Sequence, residues 1–213
     1  MNARKHVVAL SATLLLASGA AFAHDKADQL GKVTFPTSCN AKAQPLFETG
    51  VAMLHSYWFG EARKTFDAAL KEDPNCAMAY WGIALDHLGN SLAAAPSAKD
   101  AQAAWELLEK AVAIGAKTPR ERDYIDSLRA YYRDHDKTPV NARMLAYTKA
   151  TEQLTQRYPD DFEAWVFRAE SAGVRIEKRS DVFQSVEVRR HPRKTADEES
   201  GTSRRHALPD PRL

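Results

Sequence analysis

The sequence predicts an all-α fold in which helical hairpins stack into a solenoid, and three observations support this class. From about residue 44 to residue 167, apolar residues recur at intervals of three and four, as in Phe47, Val51 and Leu54, which is the spacing of one helix face. Turn-forming Gly, Pro and Asp/Asn residues divide this region into about six or seven helices of ordinary length. Residues of similar type then return after 34 positions, as expected when one helix-turn-helix unit is repeated.

The first element in chain order is a predicted signal peptide at residues 1–23. A short basic stretch at residues 4–6 precedes an apolar run at residues 7–16, and small residues flank Phe22 at a typical cleavage site. An uncleaved membrane anchor is the alternative, but this apolar run is far shorter than the roughly 20 residues of a spanning helix. Cleavage after Ala23 would leave a mature chain that begins at His24, lies in a bacterial periplasm or outside the cell, and has no membrane span.

Residues 24–40 form a predicted extended segment that contains the first of the chain's 2 cysteines. In an oxidising compartment Cys39 and Cys76 are a candidate disulfide. A zinc site is the weaker interpretation, because there is no C-x-x-C spacing and no nearby His/Cys set, and a reactive thiol is weaker still. Both cysteines precede the first helix of a repeat, and neighbouring first helices in a solenoid run parallel. We therefore expect their Cα atoms to lie within about 7 Å of each other.

The helical repeats are predicted at residues 41–167, and their first unit carries the strongest pattern. Gly50, Ala62, Phe66, Ala69 and Pro74 have the spacing of the second half of the tetratricopeptide pattern, a unit of about 34 residues. The small residues are expected where the two helices of a hairpin cross closely. Phe66 is expected to fill the gap between hairpins, and Pro74 to close the second helix.

Later units keep the same spacing less strictly. Tyr80 and Ala84 follow Leu46 and Gly50 by 34 residues, and an insertion at about residues 90–97 separates them from the second helix of their unit. The second helices of the next two units carry the pattern at Ala104, Leu108 and Ala111 and at Tyr147, Thr151, Leu154 and Pro159. A fourth unit begins near Trp165. A generic alanine-rich helical bundle is the alternative to this repeat interpretation.

Several longer stretches resemble one family. LHSYW at residues 54–58, DPNCAMAYWG at residues 73–82 and TPRERDYI at residues 118–125 are similar to secreted bacterial tetratricopeptide proteins. The resemblance covers roughly residues 35–167. It implies an extracytoplasmic helical solenoid, but such proteins mostly lack an assigned biochemical activity. The resemblance therefore supports the predicted architecture and indicates little about the function.

The chain departs from the helical pattern after Phe167, and residues 168–213 are predicted to be a disordered basic tail. A second hypothesis is that a frameshift near Arg168 replaced the rest of the solenoid. If possible codons for residues 180–194 are read one base later, they can encode an amphipathic helix. The same shift applied to residues 202–213 can encode the sequence HPGVTHYLIHA. On this hypothesis the solenoid is truncated, the tail has no selected function and its basic runs are not a binding patch.

Charge and motifs exclude several function classes. The formal net charge of +2, from 30 basic and 28 acidic residues, is too balanced to favour nucleic-acid binding. The sequence contains no Gly-rich phosphate loop, nucleophile elbow or H-E-x-x-H motif, so no catalytic residue or cofactor is predicted. His55 and His87 could share a metal ion, and His24 could chelate copper at a new N-terminus. A packing role or chance is favoured in each case, so no metal is predicted.

Two functional hypotheses remain. The first is a scaffold whose first helices line a groove for a peptide or partner protein. In the usual repeat geometry the residues expected to face that groove are Gln44, Phe47, Val51, His55, Met78, Trp81 and Leu85. The alternative is a fragment of a secreted metal-dependent or catalytic repeat protein, whose histidine-rich site would lie in the lost C-terminal part.

Overall fold

The computed structural model describes residues 30–90 and 94–173, which form seven α-helices and, within these two ranges, no strand. This confirms the predicted all-α class. The helices are α1 (Ala43–His55), α2 (Phe59–Glu72), α3 (Ala77–Leu88), α4 (Ala98–Ile114), α5 (Pro119–Tyr132), α6 (Val140–Arg157) and α7 (Phe162–Ser171). None of the helices in the described ranges is long and apolar enough to cross a membrane.

The helices stack as consecutive hairpins. The pairs α1 and α2, α3 and α4, and α5 and α6 pack against each other, and α7 packs on α6. Contacts also join α1 to α3 and α3 to α5, so the first helices of successive hairpins are neighbours. This arrangement is that of a helical hairpin solenoid. We refer to the surface formed by α1, α3, α5 and α7 as the inner face.

Local sequence signals explain where several helices begin. The Ser97 side chain accepts a hydrogen bond from the Asp100 amide at the start of α4, and Asp161 caps α7 in the same way. At α5, Thr118 and Glu121 form a reciprocal capping box, with Pro119 in the first turn. These caps satisfy backbone N–H groups that have no partner inside the helix.

The role expected of Phe66 is confirmed. Its ring is completely buried and lies between Gly50 on α1 and Gly82 on α3. A Cβ atom at Gly50 would lie 2.5 Å from the ring of Phe66, and one at Gly82 would lie 2.6 Å from it. The two glycines therefore create the space that lets one aromatic ring join the first hairpin to the second.

The repeat register also appears in a hydrogen bond that occurs twice. The Tyr80 hydroxyl donates to the Pro74 carbonyl at 3.3 Å, and the indole N–H of Trp165 donates to the Pro159 carbonyl at 2.9 Å. In both cases an aromatic side chain lies six residues after the proline that ends the preceding hairpin. The turn from one hairpin into the next is therefore built alike at the two positions.

The predicted disulfide is present. Cys39 and Cys76 are bonded, with their Cα atoms 4.8 Å apart. Cys76 is the residue before α3, and Cys39 lies shortly before α1. The bond is supported by Asn40, whose amide N–H donates to Asp73 at 2.7 Å and whose side chain donates to the Glu72 carbonyl at 2.8 Å. Together these contacts attach the N-terminal segment to the start of the second hairpin.

The boundary predicted at Phe167 needs correction, because α7 continues to Ser171. Ser171 is buried, and its carbonyl accepts a hydrogen bond from Thr148 of α6 at 2.7 Å. Its hydroxyl also lies 2.8 Å from that of Thr151. Residues 168–171 therefore belong to the packed helix. The predicted signal peptide and residues 174–213 of the predicted tail lie outside the described residues.

Candidate functional site

The centre of the inner face is occupied by Phe35 of the N-terminal segment. Its ring centroid lies 5.2 Å from that of Phe47 on α1, 5.8 Å from that of Trp81 on α3 and 4.7 Å from that of Tyr124 on α5. Phe167 of α7 completes the cluster, with its centroid 5.3 Å from that of Trp81. Each of the four first helices thus contributes one aromatic ring. Three of these four contacts are edge-on, an arrangement that aromatic pairs favour, and the contact between Phe35 and Tyr124 is tilted.

Side chains of α1 hold the main chain of this segment in place. The Phe35 amide donates to Glu48 at 2.9 Å. The Gln44 side chain makes two backbone contacts, because its Nε2 donates to the Phe35 carbonyl at 2.9 Å and its Oε1 accepts from the Thr37 amide at 3.0 Å. One amide group therefore binds the backbone of two alternate residues of the segment, and its Oε1 also accepts a hydrogen bond from the Thr37 hydroxyl at 2.5 Å.

The start of α5 holds the other end of the segment. Glu121 is buried and accepts hydrogen bonds from the Ser38 amide at 2.6 Å and the Ser38 hydroxyl at 2.9 Å. Arg120 donates to the Pro36 carbonyl at 3.1 Å, forms an ion pair with Asp161 at 2.6 Å, and covers the Phe35 ring at 4.3 Å. Glu121 therefore both caps the start of α5 and binds the N-terminal segment.

This segment changes the position of the predicted groove residues. Five of them, Phe47, Val51, Met78, Trp81 and Leu85, lie in the hydrophobic core, and the first four are at most 1% exposed. The expectation that these four face an open groove needs correction, since the inner face carries a segment of the same chain and Phe35 contacts two of them. Gln44 contacts the segment itself, whereas His55 and Leu85 line a cavity beside it.

The cavity has a volume of about 790 Å³ and lies between the N-terminal segment and the ends of several helices. Apolar side chains from α1, α3 and α7 form much of its wall, while polar groups from the segment and from residues 160–163 line other parts. Tyr57, in the turn after α1, is 48% exposed and also lines it. Cavities of this size and mixed character are typical of ligand sites.

Within the cavity wall, His55 bridges two carboxylates of α7. Its Nε2 lies 2.8 Å from Glu163, and its Nδ1 lies 3.3 Å from Glu170. Burial disfavours the charged imidazole, but the hydrogen bonds to Glu163 and Glu170 outweigh this effect and raise the pKa of His55 to about 10. Two N–H groups facing two carboxylates require the imidazolium form. One positive charge therefore faces two negative charges.

His55 and His87, the pair considered as possible metal ligands, face different partners in the structure. Within residues 30–90 and 94–173, no group of three or more His, Cys, Asp or Glu side chains is arranged to hold a metal ion. His87 lies 3.2 Å from Asp100, whereas His55 pairs with the two glutamates of α7. His24 lies outside the described residues.

Sequence reasoning missed the partners of His55 and the role of the N-terminal segment. Glu163 and Glu170 are more than 100 residues from His55 in the sequence, and no periodicity links them. The aromatic cluster did leave a signal, because Trp81 follows Phe47 by 34 residues and the later first helices carry Tyr124 and Phe167. Searching for one aromatic residue per first helix would have found it.

Comparison of the chain with family models, curated proteins and solved structures gave no match.

Proposed function

We propose that this protein is an extracytoplasmic scaffold of the tetratricopeptide class, which binds an extended segment of a peptide or partner protein in the cavity beside its inner face. The observation that carries the proposal is the binding of residues 33–38 on that face. There, Gln44 and Glu121 bind the backbone of the segment and the hydroxyls of Thr37 and Ser38, while aromatic rings surround the Phe35 side chain. The adjoining cavity extends the same surface.

The extracytoplasmic location is supported by the Cys39–Cys76 disulfide, since such bonds persist mainly in oxidising compartments. The sequence pattern of residues 1–23 points the same way. N-terminal sequencing of the protein recovered from the periplasm tests the location. We expect the mature chain to begin at His24, and a chain that keeps residues 1–23 in the cytoplasm would contradict the proposal.

Site-directed cross-linking tests the binding function. A photoreactive phenylalanine analogue is placed at position 57, where Tyr57 lines the cavity, and irradiated in cells of the native host. Leu145 on α6, which is 70% exposed and does not line the cavity, is the control position. We expect a discrete protein adduct from position 57 alone. Equal adducts from both positions, or none from position 57, would exclude the cavity as a partner site.

A further inference from the structure

The charges that line the cavity do not cancel. Lys32 and Asp160 carry opposite charges, and Arg120 is paired with Asp161 at 2.6 Å. The remaining charged groups are the imidazolium of His55 and the two carboxylates that it contacts. Counted over the described residues that line it, the cavity therefore has one negative charge in excess.

That excess charge is accessible at one of the two carboxylates. The Glu163 side chain is only 5% exposed, whereas that of Glu170 is 38% exposed. Glu163 also makes the shorter contact with His55, 2.8 Å compared with 3.3 Å for Glu170. Glu170 is thus the carboxylate that can accept a further hydrogen bond from a ligand.

Much of the wall of the cavity that Glu170 lines is apolar. Leu54, Leu85 and Leu88 come from α1 and α3, and Val166 and Phe167 come from α7. A carboxylate beside such a wall complements a ligand that has both a cation and aliphatic groups. Because screening by water is weaker next to apolar surface, the attraction between the two charges is stronger there than in bulk solvent.

We propose that the cavity takes a partner segment in which one lysine or arginine is flanked by apolar residues, with its cation beside Glu170. This inference rests on the proposed function and specifies the chemistry of the partner. A protein segment is favoured over a small amine because the cavity borders a surface that already holds an extended chain by its backbone. The apolar neighbours of the cation would contact Leu54, Leu85 and Leu88. The cation would neutralise the negative charge that the imidazolium of His55 does not balance.

Binding of two synthetic peptides to the full chain tests this proposal. The peptides are acetyl-AVLKLVA-amide and the same peptide with glutamine in place of lysine, each with a fluorescent label for anisotropy. We expect the lysine peptide to bind about tenfold more tightly, the effect of one hydrogen bond to a charged group. The preference should weaken as salt is raised. Equal affinity for the two peptides, absence of binding, or a preference insensitive to salt would overturn the proposal.

Two variants locate the effect. Glu170→Gln should abolish the preference for lysine, so that the two peptides bind with equal affinity. Glu152→Gln is the matched control, because Glu152 lies on α6, contacts Arg168 at 3.6 Å and does not line the cavity. A preference that persists in Glu170→Gln would overturn the proposal. Thermal unfolding checks that both variants fold, and the salt series on the unmodified chain tests the proposal independently of them.

Other occupants would give distinct results. If n-butylamine binds as tightly as the lysine peptide, the site takes small amines and the proposal is wrong. Self-association that Glu170→Gln abolishes would make a second copy of this chain the occupant, and the proposal would be wrong in that case too. If the peptides fail but position 57 gives a specific adduct, the binding function stands and only the basic character of the partner is overturned.

Discussion

The imidazole of His55 joins two helices that are far apart in the sequence. It contacts Glu163, 108 residues away, and Glu170, 115 residues away. Through these contacts the end of the first repeat helix is tied to the last helix of the described chain. A single charged side chain thus joins the ends of the inner face.

Replacing His55 by glutamine should lower the free energy of unfolding by about 3 kcal/mol near neutral pH, because buried Glu163 loses its charged partner. The pKa of His55 is raised from 6.5 to about 10, so the folded protein holds a proton that the unfolded chain releases. The stabilisation is therefore complete below about pH 6.5, declines as the pH rises, and is lost above about pH 10. Urea denaturation of both proteins at pH 6, 8 and 10 measures it. A difference that stays constant over this range would contradict the assignment.

The close packing of Gly82 against Phe66 can also be tested by a substitution and its effect on stability. A Cβ atom there would lie 2.6 Å from the buried Phe66 ring, and the ring is confined by Gly50 on its other side. Gly82→Ala should therefore destabilise the protein by about 1–3 kcal/mol, the usual cost of overpacking a core. Gly60→Ala is the control, since nothing lies within 4 Å of its added Cβ, and alanine favours the helix. If both substitutions have the same effect, Phe66 does not fill the joint between hairpins.

At the scale of elements, the N-terminal segment behaves as part of the core. Phe35 is completely buried, and hydrogen bonds from α1 and α5 hold the residues around it. Residues 30–40 of the segment have no regular secondary structure of their own. Their conformation is therefore set by the helices that they cover.

Phe35→Ala should lower the free energy of unfolding by about 3–5 kcal/mol, because it removes a buried aromatic ring and leaves a cavity. Thr34→Ala, at the exposed neighbouring position, should change it by less than about 0.5 kcal/mol. Chemical denaturation of both variants gives the comparison. Similar small effects would mean that the segment only rests on the surface of the helices.

The disulfide is a second element-scale constraint. Replacing Cys39 and Cys76 together by serine should cost about 3–4 kcal/mol, since the bond restricts a loop with a sequence separation of 37 residues in the unfolded chain. Denaturation of the oxidised protein, the reduced protein and the double variant measures this effect. Two free thiols in protein taken from the periplasm would instead show that the bond does not form there.

At the scale of the whole molecule, the solenoid continues through Ser171 and each hairpin covers the apolar side of its neighbour. An array of this kind needs a terminal unit with a polar outer surface. The frameshift hypothesis concerns the unit that would follow α7, which lies outside the described residues.

We expect the genomic DNA to show that a single-base change near the codon of Arg168 opens a longer helical reading frame. The protein made from that frame should be more soluble than the present chain, because further hairpins would cover apolar surface. Sequencing of the locus and comparison of the soluble fractions check both statements. If no such change lengthens the helical frame, the hypothesis is wrong and the tail is native sequence.

The sequence by itself determined the helices, the disulfide and the joint between the first two hairpins. These features depend on local spacing, as in the three- and four-residue pattern around Phe47, or on a repeat of 34 residues that fixes which positions become neighbours. The same periodicity placed Phe66 between hairpins and Cys39 near Cys76, and the structure confirms both.

Only the tertiary structure decided which residues are accessible and which charges meet. The non-repetitive N-terminal segment covers the inner face, so Phe47 and Trp81 are core residues even though their repeat positions predicted a groove. The charged form of His55 is stabilised by carboxylates that are more than 100 residues away in the sequence. No local pattern encodes such contacts, because they depend on how far the stacked hairpins turn before the last helix returns to the first.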